Sequence, residues 1–167
     1  MTKWILAAAL IFSAFPSSAI AQSKDALVGT WKLISSKDTN EKGEVKDSYS
    51  RNPTGFLTYT ADGRMMAIIT NDGRKPLSVP DWISAPAEER AEAFATSIAY
   101  AGSYTFSGDR VIHHVEAASL QNFVNTDFVR FITKLDRDRL ILRVPSIQKG
   151  GERVGQELVW ERLRPTR

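Results

Sequence analysis

A chain of 167 residues without a single cysteine has no disulfide, no cysteine-bound zinc and no thiol chemistry. Its formal net charge of +3 is small and evenly spread, which excludes a nucleic-acid-binding face. The densest basic run, Arg137-Asp138-Arg139, alternates in sign and reads as a solvated turn.

Lys3 followed by the apolar stretch Trp4 to Phe15 and the small-x-small run Ala19-Ile20-Ala21 has the form of a secretory leader. Cleavage is expected before Gln22, giving a signal peptide over 1–21 and one domain over 22–167. The apolar run is too short to span a bilayer, so no stable membrane anchor is expected. The expected destination is the periplasm or the exterior.

Val28-Gly29-Thr30-Trp31-Lys32-Leu33 opens the first expected strand, Gly29 to Ser36, with Trp31, Leu33 and Ser35 on one face. A polar stretch to Lys46 and a weaker strand over Val45 to Ser50 follow. Asn52-Pro53-Thr54-Gly55 marks a turn. Gly55 to Ala61 and Arg64 to Thr70 form a hairpin across Asp62-Gly63, a dipeptide that matches the twist of paired strands. Leu57 and Tyr59 share one face of it, and Met65, Ala67 and Ile69 share one face of its second arm.

Asn71 to Pro86 reads as a loop. Ala87 to Tyr100 then changes period: Ala91, Phe94, Ala95 and Ile98 form a helical stripe, Ser84 is placed to cap it, and Glu88 and Glu89 suit its positive end. Strands resume over Gly102 to Phe106, Arg110 to Ala117, Asp127 to Leu135, Arg139 to Val144 and Gln156 to Leu163, with a Gly-rich turn at Gln148 to Glu152. Eight or nine short strands in sequential hairpins, with one helical insertion, predict an all-β, up-and-down antiparallel barrel.

Several segments recur together here: Val28-Gly29-Thr30-Trp31-Lys32-Leu33, Asn52-Pro53-Thr54-Gly55-Phe56-Leu57-Thr58-Tyr59-Thr60-Ala61-Asp62-Gly63-Arg64-Met65, Ala99-Tyr100-Ala101-Gly102-Ser103-Tyr104, Val111-Ile112-His113-His114-Val115-Glu116 and Trp160-Glu161-Arg162. In that order they make the chain similar to the bacterial and fungal lipocalin-like domain family, a branch of the calycin-type barrels. The resemblance implies a small barrel with an internal cavity, and it implies little about activity. Trp31 is large enough to plug the closed end of such a barrel. If the first and last strands pair, Arg162 lies over its ring and Gly29 admits a close backbone neighbour.

The chemistry centres on His113, Arg130, Tyr59 and Tyr104 as candidate ligand-binding residues. His113 and its neighbour His114 are the only histidines and face opposite sides of a strand, so they cannot share one metal. No metal site and no cofactor are expected. His113 shares its face with Val111 and Val115: it is either a hydrogen-bonded core residue or a polar anchor in an apolar cavity. Arg130 sits between Phe128 and Ile132 and needs a partner, which could be Glu116, a backbone carbonyl or an anionic ligand. Tyr59 and Tyr104 offer hydroxyls on an aromatic wall. Met65 and Met66 either line a soft pocket or fill core. The helical insertion either closes the barrel mouth or packs outside.

The expected function is binding of a small, mostly apolar or amphipathic molecule in the cavity of an exported barrel. One alternative is a barrel enzyme, an isomerase, cyclase or hydratase, with His113 as acid–base and Tyr59 or Arg130 stabilising charge. Another is a filled barrel with a structural or interaction role.

Overall fold

The computed structural model describes residues 23–164. The leader expected over 1–21 lies outside the described residues. The elements are α1 (Lys24–Leu27), β1 (Gly29–Asn40), β2 (Val45–Asp47), β3 (Thr54–Tyr59), β4 (Arg64–Thr70), α2 (Ala87–Ala95), β5 (Ser97–Phe106), β6 (Arg110–Ala118), β7 (Asp127–Leu135), β8 (Arg139–Lys149) and β9 (Glu152–Arg162). A single turn of 3-10 helix, Gln121–Phe123, connects β6 to β7. Strands β3 to β9 pair antiparallel in sequence order, and β1 pairs with both β3 and β9. Eight strands therefore close a barrel, and β2 adds a short ninth along β1.

Alternation selects the interior. Trp31, Leu33, Leu57, Tyr59, Met65, Ala67, Ile69, Val111, Leu140, Leu142, Leu158 and Trp160 point inward and are buried. Their neighbours Phe56, Met66 and Ile68 point outward and stay exposed, Met66 by 58%. Met65 is thus core and Met66 is outer surface. Several strands run past their expected ends by way of bulges, between Leu33 and Ser35 in β1 and between Val144 and Ile147 in β8. A bulge inserts an extra residue, bends the strand and resets which side chains face in. Pro145 and Ser146 interrupt the alternation in β8, yet pairing resumes at Ile147 and Lys149.

The expected helix over Ala87 to Tyr100 is shorter. It ends at Ala95, and Ile98 and Tyr100 belong to β5, paired with Ile69 and Ala67. Ile98, Tyr100, Gly102, Tyr104 and Phe106 repeat every second residue, and sheet pairing with β4 overrides the local helical spacing. Pro86, not Ser84, occupies the N-cap, with no side-chain cap bond; the Ser84 hydroxyl donates to the Asp81 carbonyl. The helix buries none of its residues.

One end of the barrel is plugged. The Trp31 indole donates to the Leu27 carbonyl at 2.9 Å, tying α1 beneath the barrel with Leu27 fully buried. Trp31 pairs across to Arg162, whose guanidinium lies 4.0 Å from the indole centroid. That guanidinium also donates to the carbonyls of Val28, Ala26 and Arg137. Gly29 was expected to admit neighbouring backbone. It admits this side chain instead: a Cβ there would lie 2.5 Å from Arg162 Nη1.

Candidate functional site

A cavity of about 530 Å³ occupies the half of the barrel away from the Trp31 plug. Its walls are largely apolar: Leu57, Ile69, Ile98, Leu142, Val144, Leu158 and Trp160. The polar groups that reach it are Tyr49, Tyr100, His113, Arg130, Lys149 and Gln156. Gln148 at its edge is exposed and Lys149 half-buried, so the cavity meets solvent at that end. A volume in this range with a few convergent polar groups is typical of small-molecule pockets.

His113 is buried, at 1% exposure, and both ring nitrogens are engaged. Nε2 lies 2.6 Å from the Tyr59 hydroxyl and Nδ1 lies 3.1 Å from the Tyr100 hydroxyl. Burial, and then the positive charge of Arg130, hold its pKa well below the usual 6.5, so the imidazole is neutral. Burial raises Tyr59 well above the ordinary tyrosine value and pushes Tyr49 up to about 12, keeping both as phenols.

Arg130 reaches the cavity from β7, between inward Phe128 and Ile132. Its Nη1 donates to the Val129 carbonyl at 3.1 Å, and its guanidinium sits 5.0 Å from the Phe128 ring centroid. Among the described residues it has no carboxylate partner. Glu116, one partner considered above, is outside the barrel and holds Arg64 through two bonds of 2.8 and 2.7 Å. The bulge between Ala101 and Gly102 resets the register of β5 against β6 near Glu116.

The four expected site residues separate into layers. His113 and Arg130 line the cavity. Tyr59 stands behind His113 and does not line it. Tyr104 lies deeper, edge-on to Tyr59 at 4.9 Å, with its hydroxyl donating to the Thr60 carbonyl at 2.8 Å. Outside the barrel, His114 bonds Thr105 and Asp127.

Sequence reasoning missed Tyr100, Tyr49, Phe123 and the Lys149 group. Tyr100 was hidden by the helical reading of its segment. Its parity with Tyr104 along one strand is the signal that would have found it. Lys149 Nζ bonds Asp38 at 2.7 Å across 111 residues, and Asp38 also accepts from Ser48 at 2.6 Å and Gln156 at 3.2 Å. Nothing local in the sequence announces that cluster. No residue of α2 lines the cavity, so the helix is not packed across it.

A family described as Lipocalin-like domain matches residues 28–163 of the chain. Among solved structures, a redesigned β barrel is similar at 12% identity and a TM-score of 0.42, covering 88% of this chain and 100% of its own. No curated protein matches the chain.

Proposed function

The chain belongs to the lipocalin-like domain family, and we propose that it is an exported binding protein whose barrel takes up a small, mostly apolar molecule. The observation that carries this reading is the cavity of about 530 Å³ with apolar walls and His113 and Arg130 set into one side. A barrel filled by its own side chains would leave no such volume. Apolar walls supply binding through area removed from water, and the few polar groups supply orientation.

The enzyme reading is less well supported. His113 reaches the cavity wall with both ring nitrogens already bonded to tyrosine hydroxyls, Nε2 to Tyr59 and Nδ1 to Tyr100. Export rests on the leader pattern of residues 1–21. The mass of the protein recovered from the cell envelope or medium tests it: a chain beginning at Gln22 is expected, and an intact Met1 start would overturn it.

Binding is tested by thermal unfolding against a panel of apolar and amphipathic compounds. A ligand at about a hundredfold its Kd should raise Tm by roughly 5–10 °C, saturably. Ile147→Trp, at the half-buried cavity wall, should abolish the rise while the barrel still folds. A rise unchanged in that variant would place the ligand elsewhere, and no rise with any compound would sink the reading.

A further inference from the structure

We infer that the ligand is an acid: a hydrophobic carboxylate, its body among the apolar walls and its head held by the Tyr100 hydroxyl and the Arg130 guanidinium. The inference rests on the cavity-binding reading above and deepens it.

The first observation is directional. Tyr59 is fully buried, and among the described residues its hydroxyl has one partner, Nε2 of His113. If Nε2 carried the proton, the Tyr59 O–H would have no acceptor, a costly arrangement in a buried site. Tyr59 therefore donates to Nε2, and the proton of the neutral imidazole sits on Nδ1. Nδ1–H donates to the Tyr100 oxygen. The Tyr100 hydrogen is left free, and Tyr100 lines the cavity. The chain Tyr59, His113, Tyr100 thus ends in an O–H donor at the cavity wall.

The second observation is charge. With Nη1 on the Val129 carbonyl, Nε and Nη2 of Arg130 have no hydrogen-bond partner among the described residues. Together they form one edge of the guanidinium fork, which suits the two oxygens of a carboxylate. The other cation at the cavity, Lys149, is neutralised by Asp38. His113 is neutral and Tyr49 stays a phenol. The wall then carries one uncompensated positive charge in apolar surroundings, which calls for one negative charge.

The third is convergence. Tyr100 and Arg130 pack on the same ring, Phe128, with a Tyr100–Phe128 centroid distance of 5.4 Å and Arg130 at 5.0 Å. Donor and cation share one patch of wall and can serve one head group.

The test is calorimetric titration of matched pairs at neutral pH: decanoate against decanol, and naphthoate against naphthylmethanol. Wild-type protein should bind the acid of at least one pair about tenfold to a hundredfold more tightly than its alcohol. Arg130→Met should erase that preference by weakening the acid and leaving the alcohol unchanged. Tyr100→Phe should weaken the acid by about tenfold. Equal affinity for acid and alcohol in the wild type overturns the acid assignment and leaves the cavity reading standing. So does a preference that survives Arg130→Met with native circular dichroism. Failure of every acid and alcohol to bind overturns both.

Discussion

Gly29 and His113 show how single residues set this barrel's ends. Gly29 has φ of +136°, a region L side chains rarely adopt, and a Cβ there would meet the guanidinium pinned over Trp31. Gly29→Ala should destabilise the fold by about 1–3 kcal/mol, read from urea unfolding; an unchanged midpoint would show that the Arg162 clasp is not needed. His113 makes stability depend on pH. The unfolded chain binds a proton at this residue near pH 6.5 while the folded chain does not, so below that pH the unfolded state holds more protons and is favoured. Stability should fall by up to about 1.4 kcal/mol per pH unit below about pH 6.5, and His113→Gln should flatten that slope. Asp62 and Glu116, whose pKa values are lowered by hydrogen bonds from Thr60 and Arg64, lose stabilisation only at more acid pH, in the carboxylate range. An equal slope in the His113→Gln variant between pH 6.5 and 5 would assign the effect to other groups. At this scale the sequence was informative about direction. Alternation put His113 and Arg130 inside, and both line the cavity. What each one touches was not legible, because Tyr59, Tyr100 and Glu116 find their partners across strands whose registers depend on bulges.

Among the elements, β5 and α2 mark where local spacing and sheet pairing disagree. Phe94, Ala95 and Ile98 satisfy a helical stripe, but Ile98 is claimed by Ile69 on β4 and the helix stops at Ala95. A short window weighs only neighbours in sequence, and the deciding contact is about thirty residues away. Because α2 buries none of its residues, replacing residues 87–92 by a short Gly-Ser linker should move Tm by no more than about 2 °C, and ligand affinity should not change. A large loss of Tm would mean that the helix supports the barrel, and a loss of affinity alone would mean that it closes over the cavity. Gly102 is the counter-case, a small residue that an element cannot lose. A Cβ there would sit 1.9 Å from the His114 carbonyl oxygen, at the bulge that aligns β5 with β6. Gly102→Ala should cost about 1–3 kcal/mol by overpacking. It should also disturb the His113 hydrogen bonds, seen as a shifted imidazole resonance.

Across the whole molecule, closure follows from strand order. Each hairpin pairs with the next, and the last strand returns to the first, with Trp31 opposite Arg162. That closure pairs the first barrel strand with the last, so only the short β2 is left as a sheet edge. Architecture was legible because hairpin turns and two-residue alternation are local signals, and the Gly29-x-Trp31 and Trp160-x-Arg162 pairs named the strands that meet. The resemblance implied a cavity, but whether it is open or filled was not legible. Leu27, Trp31 and Tyr104 pack at one end and do not line it, while its walls come from seven of the strands and the segment between β6 and β7. Volume is a property of all eight strands together and leaves no mark on any one of them.

The most direct test of the account is native mass spectrometry of the protein purified from its own host, compared with the same sample after denaturation. An acid-binding barrel should carry one small molecule per chain in the native spectrum, lost on denaturation, with the mass of a hydrophobic acid. A wild-type protein that stays at its bare mass, and remains so when saturated with decanoate and naphthoate, would contradict it.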